Sequence, residues 1–236
     1  MRTKFNCLVC GEAGTGKSPF AATLEHCEQT SPCLFLDVDI GFMSIVEEPK
    51  PTIVEISSWD TVGKIHGLLK AQNWSKLAEM IKAEPKEYRS VVIDSGTELE
   101  YILRQRVLSE DSSREIPEQT HYLKTQERFR RLYRAYRDLP LTFVMIAGVR
   151  ELKDDISGVV RHSPDFQPAL CKDIVRMTDI VLFQNVVIKD KKIFHTLQSH
   201  LSQRVVARDR SQTLEPLFEA EKLYFADVAK KVLVLT

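Results

Sequence analysis

The chain has 236 residues, of which 43% are hydrophobic and 28% are charged, and its 33 Lys and Arg balance its 33 Asp and Glu. This length and composition indicate one soluble globular domain over residues 1–236 with a full core. The zero net charge excludes a global attraction to nucleic acid or anionic membranes, so such contacts would need a local patch. No apolar run reaches the roughly 18 residues of a membrane helix, and the first residues lack the pattern of a signal peptide. We therefore expect a cytoplasmic protein without a membrane partner.

The five cysteines are expected to be reduced thiols, because their number is odd and no secretion signal is recognised. Cys7 and Cys10 have the spacing of half a zinc site, but no second pair follows at ligand spacing, and both lie in an apolar run. The pattern favours two small strand residues.

Six apolar runs are typical of buried strands: FNCLVC (5–10), CLFLDV (33–38), TIVEI (52–56), SVVID (90–94), LTFVMIA (141–147) and DIVLFQ (179–184). Stretches with helical spacing separate several of them, including SPFAATLEHC, WDTVGKIHGLLKAQ and TELEYILRQRVL. This alternation predicts an α/β fold, with a mainly parallel sheet flanked by helices on both faces. Near the C-terminus, KDKK predicts a hairpin and SQRVVARDR a further strand, so we expect an antiparallel extension. The last stretch, EPLFEAEKLYFADVAKKVLV, is expected to close the domain as a short helix or strand.

The segment after the first strand is Gly11-Glu12-Ala13-Gly14-Thr15-Gly16-Lys17-Ser18, followed by a helical stretch, which is the pattern and context of a phosphate-binding P-loop. Its glycines let consecutive backbone N–H groups point inward and form an anion nest at the positive end of the helix. In such a loop Lys17 reaches the β- and γ-phosphates and the Ser18 hydroxyl is a ligand of Mg²⁺. The sequence thus predicts a nucleotide site that uses this whole loop.

Two further predicted strands end in acidic residues that suit a nucleotide site. SVVID ends in Asp94, where P-loop NTPases hold a carboxylate near Mg²⁺, although Asp94-Ser95-Gly96 also has the composition of a helix cap. CLFLDVDIG places Asp37 and Asp39 on one side of the chain. A carboxylate near the γ-phosphate orients and deprotonates the attacking water, and we assign this role to Asp39. The alternative is a capped turn before Gly41.

The segment KTQERFRRLYRAYR (124–137) has six Lys or Arg against one Glu. Its helical spacing predicts a buried stripe of Phe129, Leu132, Tyr133 and Tyr136 and a largely outward set of Arg130, Arg131, Arg134 and Arg137. A solvated amphipathic helix is favoured over a face for nucleic acid or a partner protein.

With these three loops, the chain resembles the RecA-like core ATPases, and more narrowly the phage nucleotide-binding proteins of the RecA-core type that act as single-strand annealing recombinases. FLDVDIG is similar to the RecA segment that carries the catalytic glutamate, with Asp39 in its place, and VVIDSGTEL is similar to the second acidic motif, which contains Asp94. The resemblance implies ATP and Mg²⁺ as cofactors, and the host cell cytoplasm as the location of a phage-encoded protein.

The segment RVVARDRSQTLEPLF is similar to the RecA stretch that carries two basic residues to the γ-phosphate of the neighbouring subunit, and Arg208 and Arg210 hold the matching positions. Such cations neutralise charge that develops during phosphoryl transfer, so the resemblance implies a homo-oligomer, either a ring or a filament. The alternative is a strand edge that carries charge.

Two departures from the RecA pattern concern the nucleotide switch and the rate. RecA-type proteins follow LTFVMIA with a glutamine that senses the γ-phosphate, whereas this chain has Gly148 there, so a switch would depend on Arg150. Asp39 is also shorter than glutamate, which implies slow hydrolysis.

The segment of residues 150–170 holds the topological position of a mobile RecA loop that contacts single-stranded DNA. The resemblance makes Arg150, Lys153, Arg161 and His162 candidate DNA-binding residues, since cations on a flexible loop suit sequence-tolerant binding. Asp154, Asp155 and Asp165 lie in the same segment and reduce its net positive charge.

We therefore expect a Mg²⁺-dependent ATPase, slow or stimulated by DNA, that binds single-stranded DNA and promotes annealing or strand exchange, with a single-strand binding protein as a further partner. Two alternatives remain open: a P-loop kinase that phosphorylates a small molecule, and a nucleotide-dependent adaptor or loader without catalytic turnover.

Overall fold

The computed structural model describes residues 4–112, 114–153 and 158–233. Its strands are β1 (Asn6–Cys10), β2 (Cys33–Asp37), β3 (Thr52–Glu55), β4 (Ser90–Asp94), β5 (Thr142–Ala147), β6 (Val149–Lys153), β7 (Val160–Pro164), β8 (Ile180–Lys189), β9 (Lys192–Gln198), β10 (Arg208–Asp209) and β11 (Leu217–Ala220). Its α-helices are α1 (Lys17–Ala22), α2 (Trp59–Lys70), α3 (Trp74–Ile81), α4 (Gly96–Ser109), α5 (Gln119–Arg137), α6 (Pro168–Met177) and α7 (Phe225–Leu233). Two short 3₁₀ turns cover Thr23–His26 and Phe42–Ser44.

Nine strands form one mixed sheet in the order β11-β9-β8-β1-β5-β4-β2-β3, with β10 paired to β8. The strands from β8 to β3 pair in parallel, whereas β9, β10 and β11 are antiparallel to their neighbours. The carboxyl ends of β1, β2, β4 and β5 therefore meet at one edge of the sheet. Strands β6 and β7 form a separate antiparallel hairpin directly after β5.

The sheet separates two hydrophobic cores, because neighbouring residues of each buried strand point to opposite faces. On β1, Leu8 and Cys10 join the core that packs against α2 to α6, whereas Cys7 and Val9 join the core against α1 and α7. The spacing of Cys7 and Cys10 thus reflects strand packing, and all five cysteines are buried free thiols.

The predicted α/β class, the parallel sheet and the antiparallel C-terminal extension are confirmed. The KDKK segment forms the turn between β8 and β9, and the final stretch forms both a strand, β11, and a helix, α7. The stripe predicted on α5 is buried in full. The strand expected near SQRVVARDR is only two residues long, with one isolated bridge between His162 and Val205. Among the described residues, no helix is long and apolar enough to cross a membrane.

Candidate nucleotide site

The P-loop begins where β1 ends, and its three glycines are required for different structural reasons. Gly14 and Gly16 have φ of 79° and 90°, in the left-handed region that favours glycine. Gly11 passes close to the end of β8: a Cβ there would lie 2.3 Å from the backbone oxygen of Gln184. The loop therefore requires glycine twice for its dihedral angles and once for a close approach between strands.

Two side chains from the β8–β9 hairpin fix the P-loop, and nothing in the sequence pattern identified them. The Gln184 Nε2 group donates to the Thr15 carbonyl at 2.9 Å, and His195 Nδ1 lies 3.0 Å from the same oxygen. Within the loop, the Thr15 hydroxyl donates to the Glu12 carbonyl at 2.9 Å. The β8–β9 hairpin thus contacts the P-loop at Thr15, whereas Glu12, Ala13 and Gly14 are exposed.

Lys17 is the first residue of α1, and its Nζ donates to the Glu12 carbonyl at 2.7 Å. Partial burial lowers the pKa of Lys17, while the carboxylates of Asp94, Glu12 and Asp39 oppose that shift. The ammonium group is therefore held against the backbone of the P-loop, where it could also bind a phosphate group.

Asp94 ends β4 beside the P-loop, and only 3% of its surface is exposed. Burial raises the pKa of Asp94 to about 6; a hydrogen bond from Ser18 opposes the shift, and the nearby Asp39 and Asp37 carboxylates reinforce it. This crowding of negative charge fits a site that would hold a divalent cation.

Ser18 and Asp94 fit Mg²⁺ in the manner expected of a nucleotide complex. Magnesium keeps several waters and is commonly held by one or two protein oxygens together with phosphate oxygens. Within the described ranges, no group of three or more His, Cys, Asp and Glu is arranged as a metal site. A Ser hydroxyl and one carboxylate would therefore bind Mg²⁺ jointly with the nucleotide.

Asp37 and Asp39 have different environments at the end of β2. Asp37 is fully buried, and its two carboxylate oxygens accept the backbone N–H groups of Gly41 at 3.1 Å and Phe42 at 3.0 Å. The alternative interpretation of this segment, a capped turn before Gly41, therefore applies to Asp37, whose carboxylate caps the turn.

Asp39 lies beside Asp94, since its backbone N–H donates to the Asp94 carbonyl at 3.2 Å. Its carboxylate is exposed and accepts a hydrogen bond from Ser95 Oγ at 3.0 Å. Partial desolvation raises the pKa of Asp39; the Ser95 hydroxyl opposes this shift, and the Asp37 charge adds to it. Of the two carboxylates, Asp39 is the one that is free to meet a water molecule.

The end of β5 is hydrogen-bonded to the helix that follows Asp94. The Gly148 N–H donates to Thr97 Oγ1 at 3.0 Å, and this hydroxyl donates to the Asp165 carbonyl at 3.1 Å. Arg150 instead lines a cleft of about 430 Å³ with Thr97 and Asp165, and its buried Nε has no hydrogen-bond partner among the described residues. Thr97, near the start of the helix that follows Asp94, is therefore hydrogen-bonded to the residues on both sides of the β6–β7 hairpin, Gly148 and Asp165.

The four candidate DNA-binding residues lie on the β6–β7 hairpin but do not share one face. The strand register pairs Arg150 with Ser163 and Leu152 with Arg161, so Arg150 and Arg161 lie on one side. His162 and Lys153 lie on the other side with Glu151. Asp154 and Asp155, which the sequence placed in this patch, lie outside the described residues.

Arg208 and Arg210 lie near the opposite end of the parallel strands from the P-loop. Arg208 pairs with Val181 at the start of β8, and its guanidinium donates to the Val175 carbonyl at 3.3 Å. Arg210 donates to the Arg176 carbonyl and lies 3.7 Å from an Asp179 carboxylate oxygen. Within one chain these arginines therefore lie away from the phosphate loop.

A family model described as AAA domain matches residues 3–211. The chain belongs to the AAA domain family. This AAA domain is accordingly a P-loop nucleotide-binding ATPase domain, and the loop, the Asp94 strand end and the mainly parallel sheet all lie within the matched region. No curated protein matches the chain.

Proposed function

We propose that this AAA domain is a Mg²⁺-dependent ATPase of the phage recombination type, which binds single-stranded DNA and promotes annealing or strand exchange as a homo-oligomer. Lys17 and the loop amides hold the phosphates, and Ser18 and Asp94 hold Mg²⁺, which neutralises phosphate charge when bound. Asp39 orients the attacking water and accepts its proton.

The hydrogen bonds of Thr97 carry this proposal. Thr97 follows Asp94 by three residues, accepts from Gly148 and donates to the carbonyl of Asp165, and these two residues flank the hairpin. A shift of the Asp94 strand end on nucleotide binding would therefore reach Arg150 and Arg161 through one side chain. This arrangement supports coupling between nucleotide occupancy and DNA binding at the hairpin.

The position of Arg208 and Arg210 supports an oligomer in which they act on a neighbouring subunit. A head-to-tail contact would bring the end of the sheet that carries these arginines towards the P-loop edge of the next copy. Such a heterologous contact produces a ring if the rotation closes and a filament if it does not.

The test is ATP turnover with and without a single-stranded oligonucleotide, for the wild type, Lys17→Ala and Thr97→Val. We expect DNA to increase turnover by the wild type, Lys17→Ala to abolish it, and Thr97→Val to reduce the stimulation by DNA. Thr120→Val makes the same change at an exposed position of α5 and is the matched control. A wild type that binds ATP but neither binds nor responds to single-stranded DNA would overturn the proposal.

A second candidate function is a nucleotide-dependent adaptor without turnover. One observation favours it: the backbone N–H of Gly148 is already bonded to Thr97, and Gly148 has no side chain with which to contact a γ-phosphate. In this case ATP would bind and change the conformation of the hairpin, but phosphate release would stay at background with and without DNA.

A further inference from the structure

Three separate elements bring arginine side chains together around one open cleft of about 450 Å³. Helix α5 contributes Arg134 and Arg137, helix α6 contributes Arg176, and the β10 segment contributes Arg208 and Arg210. The other residues that line this arginine cleft are Asp173 and Met177. A chain with no net charge therefore concentrates positive charge at one place, at the amino end of β8.

Two of these arginines make no ion pair with any described residue. Arg134 Nε contacts the Met177 sulfur at 3.3 Å, and Arg208 donates to the Val175 carbonyl. Burial and the adjacent Arg210 charge lower the pKa of Arg208, which is the effect expected where positive charges crowd together without enough counter-charge. The cleft therefore holds positive charge that an anion would neutralise.

Of the other three arginines, Arg137 forms a close pair with Asp138 at 2.7 Å, whereas Arg176 and Arg210 lie farther from their nearest carboxylates. Arg176 lies 4.0 Å from Asp173, which forms a closer pair with Arg130 of α5, at 2.5 Å. Arg210 lies 3.7 Å from Asp179. Such solvent-accessible pairs contribute little to stability, so a phosphate group could replace a carboxylate at low cost.

The five arginines and the scarcity of apolar side chains in the cleft indicate which class of ligand it binds. One γ-phosphate is neutralised by one or two cations, whereas five guanidinium groups match several phosphates. Guanidinium groups bind phosphate oxygens in a bidentate manner. Met177 is the only apolar residue among those that line the cleft in the described structure, so the cleft lacks the apolar core that a protein interface usually has. A nucleic-acid backbone fits these features better than the surface of a second protein.

We propose that the arginine cleft binds the sugar-phosphate backbone of single-stranded nucleic acid. This inference rests on the proposed DNA binding and assigns to it a surface distinct from the β6–β7 hairpin, built from α5, α6 and β10. It assigns to Arg134 and Arg137 a role in a binding site, where the amphipathic pattern of α5 favours solvated residues. In this arrangement Arg208 and Arg210 contact DNA within their own subunit. This replaces the role on a neighbouring subunit that the proposed function gives them, and it leaves the proposed ATP turnover and DNA binding unchanged.

The test measures binding of a fluorescein-labelled dT30 oligonucleotide by anisotropy between 50 and 200 mM KCl, for the wild type and the double variant Arg134→Ala/Arg176→Ala. Each phosphate contact to a single strand contributes about 0.7 to the slope of log K against log salt concentration, so the double variant should reduce the slope by about 1.4. Its affinity at 50 mM KCl should fall by about tenfold or more. Arg131→Ala, on α5 but outside the cleft and paired with Glu127, is the matched control and should change neither quantity.

The outcomes separate this inference from the proposed function. If the wild type does not bind dT30, DNA binding itself is wrong and both proposals fail. If the wild type binds but the double variant, folded by circular dichroism, keeps the wild-type slope, the cleft is not the DNA site and the proposed function still stands. If the variant keeps DNA binding but loses ATP turnover in a concentration-dependent way, the cleft faces a neighbouring subunit and the inference is overturned.

Discussion

Replacing Asp94 with asparagine should stabilise the ligand-free protein near neutral pH and at the same time remove a Mg²⁺ ligand. The folded pKa of Asp94 is about 6, against 3.8 for the unconstrained side chain. The folded state therefore binds the proton more tightly than the unfolded state, and the free energy of unfolding falls as the pH rises from about 4 to 6.

The size of the effect follows from this pKa difference. At 1.36 kcal/mol per pKa unit, the ionised Asp94 lowers stability by about 3 kcal/mol at pH 7.5 and by about 1 kcal/mol at pH 4.5. Asparagine carries no charge and keeps a similar volume, so Asp94→Asn should recover most of this loss. The gain should be larger at pH 7.5 than at pH 4.5.

The assay is urea unfolding followed by circular dichroism, in EDTA and without nucleotide, at both pH values. Asp209→Asn is the control, for which we expect the opposite change in the free energy of unfolding. Although burial raises the pKa of Asp209, hydrogen bonds from the Ser211 hydroxyl and from the backbone N–H groups of Leu214, Ser211 and Thr213 outweigh it and lower the pKa. Asp209→Asn should therefore lose stability at pH 7.5. Our account of Asp94 is refuted if Asp94→Asn is less stable than the wild type at pH 7.5, or gains equally at both pH values.

Three further substitutions test local packing, one at the P-loop and two in the helices α2 and α5. Gly11→Ala places a Cβ 2.3 Å from the Gln184 backbone oxygen and should cost about 1–3 kcal/mol in urea unfolding and weaken ATP binding by calorimetry; unchanged affinity would contradict the close approach. Gly67→Ala, at an exposed position inside α2 with no atom nearby, should instead stabilise the fold by about 0.5–1 kcal/mol, and a loss would be evidence against that free space. Tyr136→Phe removes the 2.8 Å hydrogen bond from the buried Tyr136 hydroxyl to the Val62 carbonyl and should cost about 0.5–1.5 kcal/mol, so a neutral result in the same assay would count against that bond.

Some features of the site follow from short stretches of sequence. The P-loop is encoded within eight residues, and the strand before it and the helix after it have local apolar patterns. Asp94 is the last residue of one buried strand and Asp39 follows another, and the carboxyl ends of parallel strands meet at one edge of a sheet. The α/β class depends likewise on apolar runs that alternate with helical stretches, and the buried stripe of α5 depends on a period of 3.6 residues.

Other features depended on which distant segments become neighbours. Gln184 and His195 reach the Thr15 carbonyl across 169 and 180 residues of chain, which no local pattern encodes. Asp37 and Asp39 look alike in the sequence, but only the fold of the following turn gives Asp37 two backbone donors.

The sequence by itself therefore determined the fold class, the phosphate loop and the acidic strand ends, because repeating local patterns and a contiguous motif specify them. The tertiary structure decided how the basic residues are grouped. Strand register divided the hairpin candidates between two faces, and the packing of α5, α6 and β10 assembled arginines from distant segments into one cleft. Such groupings arise from strand order and helix packing, which depend on contacts between segments far apart in the chain.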